Sequence, residues 1–156
     1  MADRIYLDYN GFQRGFDDQS QTRIRIETEA CEKLFADAEH EKVELVWSFM
    51  HDDENRMCPF SDRMAEVQRL AKLCKTRVGP KESIRRKAKM FESDLGVKAK
   101  DALHLAAART GKAKAFLTCD DELLKKAKDR IPRMAVMNPA EYILHERKDH
   151  GKADSK

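Results

Sequence analysis

Long apolar runs are missing from this chain, and without them no segment is expected to span a bilayer. The opening Met-Ala-Asp-Arg-Ile-Tyr-Leu-Asp is too short in apolar residues for a secretory leader, so the expected compartment is the cytoplasm. The four cysteines, Cys31, Cys58, Cys74 and Cys119, lie far apart. They form no Cys-x-x-Cys pair and have no histidine at zinc-finger spacing, which excludes a zinc ribbon and leaves reduced thiols packed as small hydrophobes. No Gly-x-Gly-x-x-Gly follows an apolar run, which speaks against a dinucleotide-binding domain. Internal repeats and low-complexity tracts are absent as well. The net charge of +3 is too small to announce a nucleic-acid binder, so any grip on phosphate must come from local clusters.

What is present is a chain of 156 residues, 41% hydrophobic and 38% charged, which is enough for one domain with a real core under a heavily charged surface. Short apolar runs at Ile5–Leu7, Val43–Trp47, Ala115–Leu117 and Arg133–Met137 read as strands. Helical patterns lie between them. Ile24, Cys31, Leu34, Phe35 and Ala38 mark one face from about Ser20 to His40, and Ser48 is placed to cap a helix over Phe49–Arg56. Ser61 and Asp62 open a third helix with Met64, Val67, Leu70, Ala71 and Cys74 inward. Ile84, Ala88, Phe91 and Leu95 define a fourth, which stops at Gly96. The stretch Ala99–Thr110 is apolar on nearly every side behind Asp101 and predicts a buried helix. Asp121–Asp129 returns to helix, and Ala140–Leu144 makes a last short turn. The loop Gly11–Gln19 reads as irregular. Strands alternating with helices predict an α/β fold, a three-layer α/β/α sandwich around a mainly parallel sheet of four to five strands. Residues 1–145 form one domain in this reading, and the charged stretch 146–156 is a disordered tail.

In a parallel sheet with right-handed crossovers, strand C-termini and helix N-termini share one edge, and ligands bind there. Asp8 ends the first strand, Asp120 follows the third, Asp101 opens the helix leading into it, and Glu54 lies six residues past Ser48. Helix capping explains Asp101 or Asp120 singly, but not Asp8 at a strand end or Glu54 inside a helix. Carboxylates sharing a small site repel one another unless a cation joins them. Oxygen ligands without His or Cys suit magnesium or manganese, and such a centre with bound water is equipped to hydrolyse a phosphodiester.

With those residues placed, the chain resembles a PIN domain, the metal-dependent ribonuclease fold found in toxins of prokaryotic toxin–antitoxin pairs such as the VapC-like proteins. The matching pieces, spread over residues 4–144, are Tyr6-Leu7-Asp8-Tyr9-Asn10, Ser48 with Glu54, Asp101-Ala102-Leu103-His104-Leu105-Ala106, and Thr118-Cys119-Asp120. The resemblance implies that Asp8, Glu54, Asp101 and Asp120 hold Mg2+ or Mn2+, with Asn10 and Thr118 as polar supports. Asp121 is either a supporting group or a helix N-terminal anion. His51-Asp52-Asp53 stands where the family is usually apolar, so Asp53 or Asp52 is an alternative to Glu54 as second acid. His104 is read as a packed helix residue, no histidine base being required. Lys98 and Lys100, flanking Asp101, and Arg14 are the cations chosen to hold RNA, ahead of Lys81, Arg85 and Arg86. The implied activity is endoribonuclease, with an RNA substrate, a cognate antitoxin and a homodimer as partners. A catalytically idle RNA-binding scaffold and an aspartyl phosphotransferase using Asp8 are the competing readings. Against the last, Asp8-Tyr9-Asn10 lacks the second aspartate and the threonine of the Asp-x-Asp-x-Thr pattern.

Overall fold

Strand β1 (Asp3–Leu7) lies at the middle of the sheet in the computed structural model, which describes residues 2–154. The residues of β1 from Ile5 onward are buried on both faces, the signature of a parallel central strand. It is flanked by β2 (Val43–Ser48) and β4 (Ala115–Leu117), and the outer strands are β3 (Thr76–Val78) and β5 (Ala135–Met137). The order β3-β2-β1-β4-β5 is parallel throughout, five strands in all. The fold is the expected α/β class with helices on both faces.

The helices divide cleanly between the layers. Ile5, Leu7, Leu45 and Leu117 face a core completed by α1 (Tyr9–Gln13), α2 (Thr22–Glu39), α4 (Ser61–Ala71) and α8 (Pro139–Asp154). Tyr6, Val46, Phe116 and Val136 face the opposite core, made with α5 (Glu82–Leu95), α6 (Ala99–Thr110) and α7 (Asp121–Ala127). Helix α3 (Phe49–Arg56) leaves β2 directly. Gly96 ends α5 at φ 71°, a left-handed conformation that glycine adopts without penalty. Gly11 matters for a different reason. A Cβ there would lie 2.5 Å from Leu7 Cδ1, so only glycine lets α1 sit down on the end of β1.

Two expectations are corrected. The loop read over Gly11–Gln19 begins with α1 and a 3-10 turn, Arg14–Phe16, because the Asp8 carboxylate caps the chain as it leaves β1. Strand β3 escaped notice because it is three residues long, at the sheet edge, with only Val78 buried. Helix α8 runs on from Pro139 to Asp154. Buried Tyr142 and Ile143 anchor the first turns, and Glu, Lys and Arg are good helix formers that extend them. Residues 155–156 lie outside the described residues.

A polar junction ties α2 to the sheet. Glu27 is 1% exposed and accepts from Arg14 (2.8 Å), Arg23 (3.3 Å) and the Asn138 amide (2.5 Å) just past β5. Burial pushes the Glu27 carboxyl up, but the Asn138 amide and the two guanidinia outweigh it and hold the group below its ordinary value. A depressed carboxyl contributes stability that is complete above the unfolded value, about 4.3, and lost as pH falls through the folded one. Glu27→Gln is therefore expected to cost about 2 kcal/mol near pH 7. The deficit should shrink below pH 4, as read by urea unfolding across the pH range. A deficit constant down to pH 3 would contradict the ionic role.

Candidate active site

Chain order and strand order part company at β1. The chain moves from β1 to β2 and β3 on one side, then returns to β4 and β5 on the other. The crevice beyond the C-termini of β1 and β4 is thus the switch point where an open α/β sheet binds ligands. The ladder continues past both strand ends. Asp8 N–H donates to the Leu117 carbonyl at 2.8 Å, and Thr118 N–H to Met137 at 3.0 Å, so Asp8 and Thr118 emerge side by side.

Asp8 is 7% exposed and thoroughly held. Its Oδ1 accepts the Tyr9 N–H at 2.8 Å, and its Oδ2 accepts the Thr118 hydroxyl at 2.8 Å and the Asn10 amide at 3.3 Å. Thr118 Oγ1 also receives the Asp120 N–H at 3.1 Å. Asn10 Oδ1 receives the Cys119 N–H at 3.3 Å. Burial pushes the Asp8 carboxyl up, His104 and Thr118 draw it down, and Glu54 pushes it up again, for a net rise. Asp101 also rises, first through burial and then through the charges of Asp8 and Asp120, against the pull of His104 and Lys98. Negative charge is crowded here, and a cation is what would relieve it.

The acids expected at the rim line one cleft of about 420 Å³: Asp8, Glu54, Asp101 and Asp120, joined by Asp17 and by a single cation, Lys100. Asp120 doubles as the cap of α7, its Oδ1 accepting from Glu122 and Leu123. The three consecutive acids on α3 have different neighbours. Asp52 takes the Trp47 indole N–H at 2.9 Å and Asp53 pairs with Arg56, whereas Glu54 turns into the cleft. Asp121 is turned elsewhere, held by two bonds of 2.6 Å from Arg23. Arg14 spends its guanidinium on Glu27 and Asp17. Lys98 is exposed at the N-cap of α6, on the far side of Asp101.

His104 is the residue that sequence reasoning undervalued. It is 1% exposed, and Asp8, Glu54 and His104 offer ligand atoms within 4.8 Å of one another, a group able to hold a metal ion. Its Nε2 bonds the Glu54 carboxylate and its Nδ1 meets the Tyr6 hydroxyl at 2.6 Å. Tyr6 in turn reaches Ser48 Oγ at 2.8 Å. Burial draws the imidazolium down, but the Glu54 bond and the charges of Asp8, Glu54 and Asp101 together raise it above its ordinary value. With both ring nitrogens engaged, His104 aims and neutralises Glu54, leaving oxygen donors for a hard cation. The signal was in the sequence: His104 is three residues after Asp101, on the same helix face. His51, the other anomaly, is fully buried and neutral, drawn down to about 3 by desolvation. Its Nδ1 accepts the Ser48 N–H at 2.9 Å and its Nε2 meets the Leu7 carbonyl at 2.7 Å, making a capping box for α3.

A family model described as PIN domain matches residues 25–129, more than half of the chain. Comparison with curated proteins returns no match.

Thr118 is fully buried and has the strongest hold on Asp8 Oδ2, so Thr118→Val is expected to cost about 1–2 kcal/mol by leaving that oxygen with one long bond. Chemical denaturation of the variant checks it. A midpoint equal to that of the wild type would show the hydroxyl to be dispensable.

Proposed function

The chain belongs to the PIN-domain family, whose members are typically metal-dependent nucleases acting on RNA, and from that premise we propose that it is a Mg2+- or Mn2+-dependent endoribonuclease. One observation carries the reading. Asp8, Glu54, Asp101 and Asp120 arrive from four separate elements at one cleft, with a buried histidine bonded to one of them. The donor set fits a hard cation, since two of its carboxyls are raised by burial and mutual repulsion and the oxygens face a common space. When bound, such an ion supplies Lewis-acid stabilisation of the phosphate and an activated water.

The remaining work falls to the chain itself. Asp8, Asp101, Asp120 and Glu54 would hold the ion, and Thr118 and Asn10 keep Asp8 in place. His104 fixes the direction of Glu54 and offsets part of the cleft's charge. Lys100 is placed to take a phosphate oxygen, and Lys98 extends that grip beyond Asp101. The phosphotransferase alternative finds less support, because Asp8-Tyr9-Asn10 lacks the second aspartate and the threonine of the Asp-x-Asp-x-Thr pattern. By its resemblance to the toxin members of the family, the chain would act as the toxin of a toxin–antitoxin pair, a cytoplasmic homodimer with an antitoxin partner.

Asp8→Asn and Asp101→Asn keep size and remove charge. Each is expected to lower cleavage of a labelled single-stranded RNA by about three orders of magnitude, matching the several kcal/mol a catalytic metal contributes. Chelator should abolish the wild-type reaction and added Mn2+ restore it. Wild-type rates from both variants would overturn the assignment.

A further inference from the structure

The cleft poses an electrostatic problem for a ribonuclease. Five carboxylates line it, and with Arg14 committed to Asp17 and His104 to Glu54, Lys100 is the one cationic side chain of the lining left for a phosphate, in a chain that as a whole carries only +3. Another source of binding energy should lie within reach of the cleft.

The connection between α3 and α4 supplies one. It exposes two large apolar side chains within four residues, Met57 at 78% and Phe60 at 51%. Phe60 stands at the N-cap of α4, where Ser, Thr, Asp or Asn would close the helix, and it makes no side-chain cap. A bulky ring that serves neither core nor cap breaks a local rule, and such exceptions gather at functional sites. The ring is also organised. The Arg63 guanidinium lies over Phe60 at 4.6 Å and over Phe16 at 5.4 Å, and it donates to the Phe16 carbonyl at 3.3 Å. Among the described residues no carboxylate pairs with Arg63. The result is a stack in which one guanidinium lies over two rings and keeps its charge free of a carboxylate partner among the described residues.

The stack is joined to the cleft through the chain, although its own residues do not line it. Asp17, next to Phe16 in the chain, lines the cleft. So does Gln13, whose amide donates to Cys58 Sγ at 3.7 Å, within the same connection as Phe60. Glu54 stands three residues before Met57 at the end of α3.

We propose that Phe60, backed by Arg63 and Phe16, is a stacking platform for an unpaired base of the RNA substrate, next to the phosphate held in the cleft. A base in a duplex has no free face to offer, whereas an unpaired one stacks on phenylalanine and on a guanidinium plane. Arg63 adds a charge for the neighbouring phosphate. The proposal rests on the ribonuclease reading and adds to it the side chains that would hold a base.

The test is steady-state cleavage of a short single-stranded oligoribonucleotide with Mn2+, paired with anisotropy of the same labelled oligonucleotide in Ca2+. Phe60→Ala and Phe60→Leu are expected to raise KM about tenfold, the worth of one stacked base, with the loss falling on KM rather than kcat. Phe60→Trp should restore it, since the requirement is a ring and not apolar volume. An abasic nucleotide beside the cleavage position should cost the wild type the same factor and cost Phe60→Ala nothing more. Met90→Ala, which removes another exposed apolar side chain, on α5, is the control and should bind as the wild type does. The platform is refuted by wild-type KM in both the Ala and Leu variants, by a full additional abasic penalty in Phe60→Ala, or by equal weakening of duplex binding. Should the wild type cut no RNA yet bind it, with Phe60→Ala weakening that binding, the nuclease reading falls and the platform stands.

Discussion

The burial of Asp8 is the constraint on which the rest of this structure depends. A carboxylate at the end of the central strand is almost out of water, and its neighbours across the cleft are more carboxylates. Such a group persists only if hydrogen bonds and positive charge reach it. The surrounding fold can be understood as the supply of those bonds. Gly11 lets α1 close over β1 so that the Tyr9 N–H can reach Oδ1, and the register of β4 against β1 sets Thr118 beside Oδ2.

Below the cleft lies a layer of polar groups in an otherwise apolar interior. Ser48, Tyr6, His104 and Glu54 form a continuous chain of hydrogen bonds, and His51 packs against Tyr6 and Trp47 with ring centroids 4.7 Å apart in both pairs. No described buried side-chain polar atom lacks a partner. A fully satisfied network of this kind gives a site precise geometry, because no member can move without orphaning another. The Glu54 carboxylate is thereby aimed from a short helix that could otherwise rotate. The cost is a surface of concentrated negative charge, which a bound cation would offset.

Much of this was legible from the residues. The limits of α3, α6 and β4 follow from Ser48 as a cap, Gly111 as a stop and the apolar Ala115–Leu117, and the structure ends them where expected. That Asp8, Asp101 and Asp120 share an edge follows from the topology of parallel sheets alone. Strand β3 was hidden, because a three-residue edge strand buries too little to leave a pattern.

The sequence by itself determined the class of fold and the rim on which the acids fall, since periodicity and chain direction are local properties that tertiary contacts do not rewrite. Only the tertiary structure decided which of Asp52, Asp53 and Glu54 enters the cleft, that Arg14 and Asp121 are spent on other ion pairs, and that His104 stands behind the carboxylates. Consecutive residues on a helix point about 100° apart, and which direction faces the site depends on how the helix is rolled against its neighbours. That roll is set by packing between segments as remote in sequence as Tyr6 and His104, and a linear pattern does not encode it.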